Sequence, residues 1–149
     1  MKKSTILVIC IVFLASVLVV GIFGMQAESY YSKVYIENIT PSAIYCTTDE
    51  QLSFGTSTQP NRYPVRIRQF QQGMTIRIDC DVSPSDATLF NSIAVEITGQ
   101  GNYTGSDDNV VATLDGQNII LHQLGFVEVT YRATDGGNAR MTVVIYVMS

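Results

Sequence analysis

The sequence predicts an all-β domain, an antiparallel β-sandwich of seven or eight strands, preceded by an N-terminal transmembrane helix or signal peptide. Three observations carry this. From Ser32 onward apolar residues recur with a period of two rather than 3.6. Gly, Asn, Asp and Pro clusters interrupt the alternation at short intervals. No stretch after residue 28 has the spacing of an amphipathic helix. Alternation of this kind implies two sheets, each with one face in a core and one in water.

The elements follow in chain order. "KVYIENITPSAIYC" places Val34, Ile36 and Ile39 on one face, with Pro41 and Ser42 breaking or bending the strand. Residues 47–62 are polar, rich in Thr and Ser, and read as a long loop or short hairpin. "YPVRIRQF" alternates Val65 and Ile67 against Arg66 and Arg68. "GMTIRIDCDVSPSDAT" sets Met74, Ile76, Ile78, Cys80 and Val82 against Thr75, Arg77, Asp79 and Asp81, then turns at Pro84. "NSIAVEITG" offers Ile93, Val95 and Ile97, and "QGNYTGSDDN" reads as a loop. "VVATL" and "NIILHQL" flank Asp115-Gly116, a tight-turn pair because Gly accepts positive φ without steric cost. "FVEVTYRA" and "RMTVVIYVM" flank Asp135-Gly136-Gly137-Asn138 and close the chain, the last with Met141, Val143, Ile145 and Val147 on one side.

The N-terminus is a separate object. Lys2 and Lys3 precede 21 uncharged residues, Thr5 to Met25. As a helix these would span roughly 31 Å, close to the hydrocarbon thickness of a bilayer. A cleaved signal needs a shorter apolar stretch and small residues before the cut; Ala27 suits that position and Met25 does not. The uncleaved anchor is the preferred reading, with Tyr30 and Tyr31 at the outer headgroup level and secretion after cleavage the alternative. Either way the two lysines remain cytoplasmic and the rest lies outside. The organisation is then 1–27 anchor or signal, 28–32 linker, 33–149 domain. From Glu28 onward seven Lys and Arg stand against thirteen Asp and Glu, a net charge of −6. Such a balance argues against nucleic acid as a partner, since phosphate binding needs a basic face.

Two segments resemble the bacterial immunoglobulin-like domain, group 2. "GMTIRIDCDVSPSDAT" resembles the family's second strand, a Gly-led alternating strand ending in a Pro-centred turn. "NVVATLDGQNIILHQLGFVEVTYRATDGGNARMTVVIYV" resembles its second half. The likeness covers most of residues 33 to 148. It departs from the family in having Val95 or Ile97 where a third-strand tryptophan often stands, and in insertions around 47–66 and 99–106. The resemblance implies an immunoglobulin-like fold and the role of an envelope or adhesin module. In a sandwich of this type the first two strands are antiparallel neighbours, which would bring Cys46 and Cys80 together. Outside the cell a bridge there would persist and would contribute about 3–4 kcal/mol in the chain-entropy model. The competing reading is two thiols filling small places in the core.

The remaining chemistry is thin. His122 is the only histidine and lacks neighbours that would make a nucleophilic site. Asp107-Asp108-Asn109 and Asp135 to Asn138 carry oxygens without the spacing of an EF-hand, and turns need the same residues. Asn38 and Asn102 each begin an N-glycosylation sequon, incidental in a bacterial protein. No catalytic, metal or cofactor residue is therefore assigned. Arg62, Arg66 and Arg68, with Tyr63, form the one local concentration of positive charge. That strand reads either as a binding surface for an anionic polymer or sugar, or as an edge whose arginines discourage pairing. The expected function is a non-enzymatic, membrane-tethered extracellular module acting on an envelope protein or cell-wall polymer by adhesion or protein–protein contact. The alternative is a carbohydrate-binding accessory domain or small envelope enzyme.

Overall fold

The computed structural model describes residues 33–48, 50–89 and 92–149. The expected membrane segment and linker, 1–27 and 28–32, lie outside the described residues. Eight strands follow in order: β1 Asn38–Cys46, β2 Arg62–Ile67, β3 Thr75–Ser83, β4 Ile93–Asn102, β5 Ala112–Asp115, β6 Asn118–Leu121, β7 Gly125–Ala133 and β8 Arg140–Val147. A 3-10 turn over Ser85–Leu89 links β3 to β4. The strands form two four-stranded sheets, ordered β1-β3-β6-β5 and β2-β8-β7-β4. One apolar cluster lies between them, built by the alternation in the sequence. Ile76 and Ile78 from β3, Ile119 and Leu121 from β6, Val127 and Val129 from β7, and Met141, Val143 and Ile145 from β8 are all buried. The arrangement is all-β and sandwich-like.

Three features differ from the sequence reading, and one decides between its alternatives. The strands are not all antiparallel, because β2 runs parallel to β8, from Arg62 beside Thr142 to Ile67 beside Val147. A parallel neighbour needs a long crossover, and the body of the chain between these strands supplies it. Of the two readings of Pro41 and Ser42, breaking or bending the strand, the second holds: the register shifts between Pro41 and Ala43, a bulge that keeps one strand continuous. The segment from Gln100 to Asn102 belongs to β4 rather than to a loop, pairing with Val127 to Gly125 after a register shift between Ile97 and Gly99. Its glycines hid it, and they are there for β7: a Cβ at Gly101 would stand 2.8 Å from the Phe126 ring. The fourth concerns the cysteines, taken up with the site.

Polar contacts join what the core does not. The Gln100 side-chain oxygen accepts from Val111 N at 2.8 Å and Ala112 N at 2.9 Å, tying β4 to the start of β5. Buried Asp135 holds the β7–β8 turn: its carboxylate accepts from Gly137 N at 2.8 Å and, far back in the chain, from Ile36 N at 2.6 Å. The chain thus joins the sandwich at the end where β7 turns into β8.

Candidate functional site

The strongest candidate is built on β2. Val65 and Ile67 point into the core, so by strand alternation Pro64 and Arg66 face outward, with Arg68 following beyond the strand. In its own sheet β2 is an edge, bonded only to β8. Its other side is met by the preceding loop. Phe54 forms a single antiparallel bridge to Val65, and Gly55 N donates to Pro64 O at 2.7 Å. The Glu50 carboxylate accepts from Arg68 N at 2.8 Å and Gln69 N at 3.3 Å. Between loop and strand runs a groove of about 470 Å³, lined by Glu50, Ser53, Thr56, Pro64, Arg66 and Arg68 among others. Arg66 and Arg68 are exposed, and neither guanidinium has an ion-pair or hydrogen-bond partner among the described residues. Planar guanidinium forks in a polar groove suit carboxylate or phosphate oxygens.

The four residues singled out from the sequence therefore do not act as one patch. Arg62 is held by the Glu128 carboxylate across the sheet and faces a separate hollow beside Val144 and Tyr146. Tyr63 packs against the core in a T-shaped contact with Phe54, ring centroids 6.3 Å apart. Only Arg66 and Arg68 share the groove. Strand periodicity foretold that pair. The contribution of Glu50 and Phe54 was not legible, because a loop with no alternation gives no register.

Cys46 and Cys80 are free thiols rather than a bridge. β1 and β3 are indeed antiparallel neighbours, but Cys46 lies opposite Ile76 and Cys80 opposite Pro41. Four residues along a strand separate them by about 13 Å, whereas bridged cysteines have Cα atoms about 4.4–6.8 Å apart. Cys46 Sγ contacts Thr48 Oγ1 at 3.2 Å. Cys80 sits against Tyr131; burial pushes its thiol pKa up to about 12, helped by the charges of Asp79 and Asp81. Burial likewise raises the Tyr131 phenol, with Cys80 and then Asp79 contributing.

The other candidates resolve into local structure. His122 Nε2 and Thr113 Oγ1 share a hydrogen bond of 2.7 Å. Asn102 organises the 103–109 loop: its oxygen accepts from Thr104 N and Gly105 N, and its amide donates to Ser106 O and Asp108 O. One Asp108 carboxylate oxygen accepts from Val110 N at 2.9 Å. Among the described residues no three His, Cys, Asp or Glu side chains converge as metal ligands. No protein-family profile, curated protein or solved structure matches the chain.

Proposed function

We propose that the chain is a membrane-tethered, extracytoplasmic immunoglobulin-like module that works by binding, with the Arg66–Arg68 groove as its contact for an anionic envelope polymer. The observation that carries the binding site is the pair of unpartnered guanidinium groups in a groove, on a domain that is otherwise acidic. Two further facts support the wider reading. The strand order β1-β3-β6-β5 facing β4-β7-β8 follows the A-B-E-D and C-F-G arrangement of immunoglobulin sandwiches, with β2 as an added strand beside the last. The uncharged run of residues 5–25 has the length of a membrane span. The carbohydrate-platform alternative has less behind it, since the exposed tyrosines are dispersed. Tyr45 lies under the Arg77 guanidinium, and Tyr103 leans on Phe126 at the far end of the other sheet.

The test is binding of the full-length chain in detergent to poly(glycerol phosphate) and to polygalacturonate, with dextran as the neutral control. Salt-sensitive binding to a polyanion, weakened at least about tenfold by Arg66→Ala with Arg68→Ala, is expected. Equal binding by the double variant, or binding to dextran alone, would overturn the groove assignment.

A further inference from the structure

The two sheets are not equally long where they face one another. The β5–β6 hairpin has four residues in each strand, and its turn comes at Gly116-Gln117. β3 pairs with β6 only over Thr75–Arg77, opposite Ile120–Asn118. Beyond Arg77 the β3 strand runs on to Ser83 with β1 on one side and, among the described residues, no strand on the other.

The hydrogen bonds fix which groups face the bare side. Thr47 N and Glu37 N donate to Thr75 O and Ser83 O, so odd-numbered residues of β3 face β1. Leu121 N donates to Met74 O, so even-numbered residues face the β6 side. Alternation then leaves the main-chain N–H and C=O groups of Ile78, Cys80 and Val82 directed at the uncovered edge. The inner face changes there too: Ile76 and Ile78 are buried, whereas Cys80 and Val82 are only half-buried. On the opposite sheet Ile93 and Val95 are also half-buried. A notch of about 380 Å³ opens between them, lined by Ile78, Cys80, Ile93, Val95 and Tyr131, with Asp79 and Asp81 at its mouth. Tyr131 is 2 % exposed, and its buried hydroxyl has no hydrogen-bond partner among the described residues.

A missing strand segment would account for the bare edge and the half-buried residues beneath it. We infer that the 78–83 edge of β3 accepts an extended peptide from another protein, added in line with β6, with apolar residues entering the notch and basic residues on the outer face. Strand addition satisfies the bare main-chain groups, and alternate side chains supply specificity. The basic preference comes chiefly from Asp81, with Asp79, which already pairs with Arg77 at 3.2 Å, adding to it; both would lie across from the outward residues of the incoming strand, where opposite charges attract and like charges repel. The same two carboxylates disfavour a second copy: antiparallel pairing of two β3 edges would set them against each other. This inference is independent of the Arg66–Arg68 groove, which lies beyond β2 at the edge of the other sheet.

The probe is a fluorescent synthetic octapeptide alternating valine and arginine, titrated onto the full-length chain in detergent. Controls are a peptide of the same composition in two blocks and one alternating valine with glutamate. Preferential binding of the alternating basic peptide is expected, with amide hydrogen exchange at Ile78, Cys80 and Val82 slowed at least about tenfold while that of Asp79 and Asp81, which face β1, changes little. Val82→Pro removes an N–H that serves no native ladder, so it should abolish binding while the thermal transition stays close to the parent's. Asp79→Lys with Asp81→Lys should reverse the preference towards the glutamate peptide. Equal affinity for the block peptide, or full affinity in a folded Val82→Pro variant, would overturn the inference. Unchanged binding after Arg66→Ala with Arg68→Ala would separate it from the groove.

Discussion

β2 and the latter half of β3 each have a neighbouring strand on one side only among the described residues, and the chain treats the two open sides oppositely. The β2 edge is closed by its own preceding loop, through the Phe54–Val65 bridge and the Glu50 carboxylate on two amides. Beneath it Val65 and Ile67 are fully buried. The β3 edge has no such cover among the described residues, and the side chains beneath it thin from buried to half-buried within three residues. Burial in a sandwich is thus decided strand by strand at the margins. The polar loop before β2 is what covers one margin, and the β5–β6 hairpin, whose pairing with β3 stops at Arg77, is what leaves the other open.

The contrast can be broken most sharply at the closed edge. Ile67→Ala removes a fully buried side chain there, and a loss of about 2–5 kcal/mol is expected by denaturant unfolding. Removing the cover should cost less: Glu50→Ala frees two exposed amides to water, about 1 kcal/mol by the same measurement. At the open edge Val95→Ala should cost under about 1 kcal/mol, because the residue is only half-buried and the notch already lacks packing on one side. If Val95→Ala proves as damaging as Ile67→Ala, the two margins are equivalent and the comparison fails. Tyr131→Phe removes a buried hydroxyl without a partner and should be neutral or stabilising by up to about 1 kcal/mol in the absence of any ligand.

A pH dependence confined to the open side follows from the raised thiol. The Cys80 pKa rises from 9.0 to about 12 on folding, so the folded state holds this proton more tightly. The resulting stabilisation is complete below about pH 9 and is lost as pH climbs from there to about 12. Tyr131 adds in the same direction. Chemical denaturation at pH 8 and pH 11 should therefore show a smaller alkaline loss in Cys80→Ala than in the parent. Cys46→Ala is the control at the other thiol.

Much of this was readable in the residues. The alternation of "MTIRIDCDV" and "RMTVVIYVM" gave both strands and their inward faces, and Asp115-Gly116 gave the hairpin, since Gly116 has φ 61°. What was not readable depends on register between distant segments. A cysteine's place in an alternating strand says which face it occupies, not which residue stands opposite, and the Pro41–Ala43 bulge shifts that count further. Parallel pairing of β2 with β8 leaves no local trace either, because β2 alternates in the same way whichever direction its neighbour runs. The groove depends on a polar loop docking against a strand, and the notch on a length difference between elements that never meet in sequence.

The parallel pairing of β2 and β8 bears on how the domain would carry load. The chain joins the sandwich at the β7–β8 turn, where Asp135 holds Ile36, and β8 runs from that end to finish at Val147 beside Ile67. Tension applied between Ile36 and the C-terminus would load β1 against β3 first; once β1 came away, it would pull β2 and β8 in opposite directions along their axes. The inter-strand bonds over the six paired positions would then bear force together, in shear, instead of opening one after another as a hairpin does when peeled from its ends.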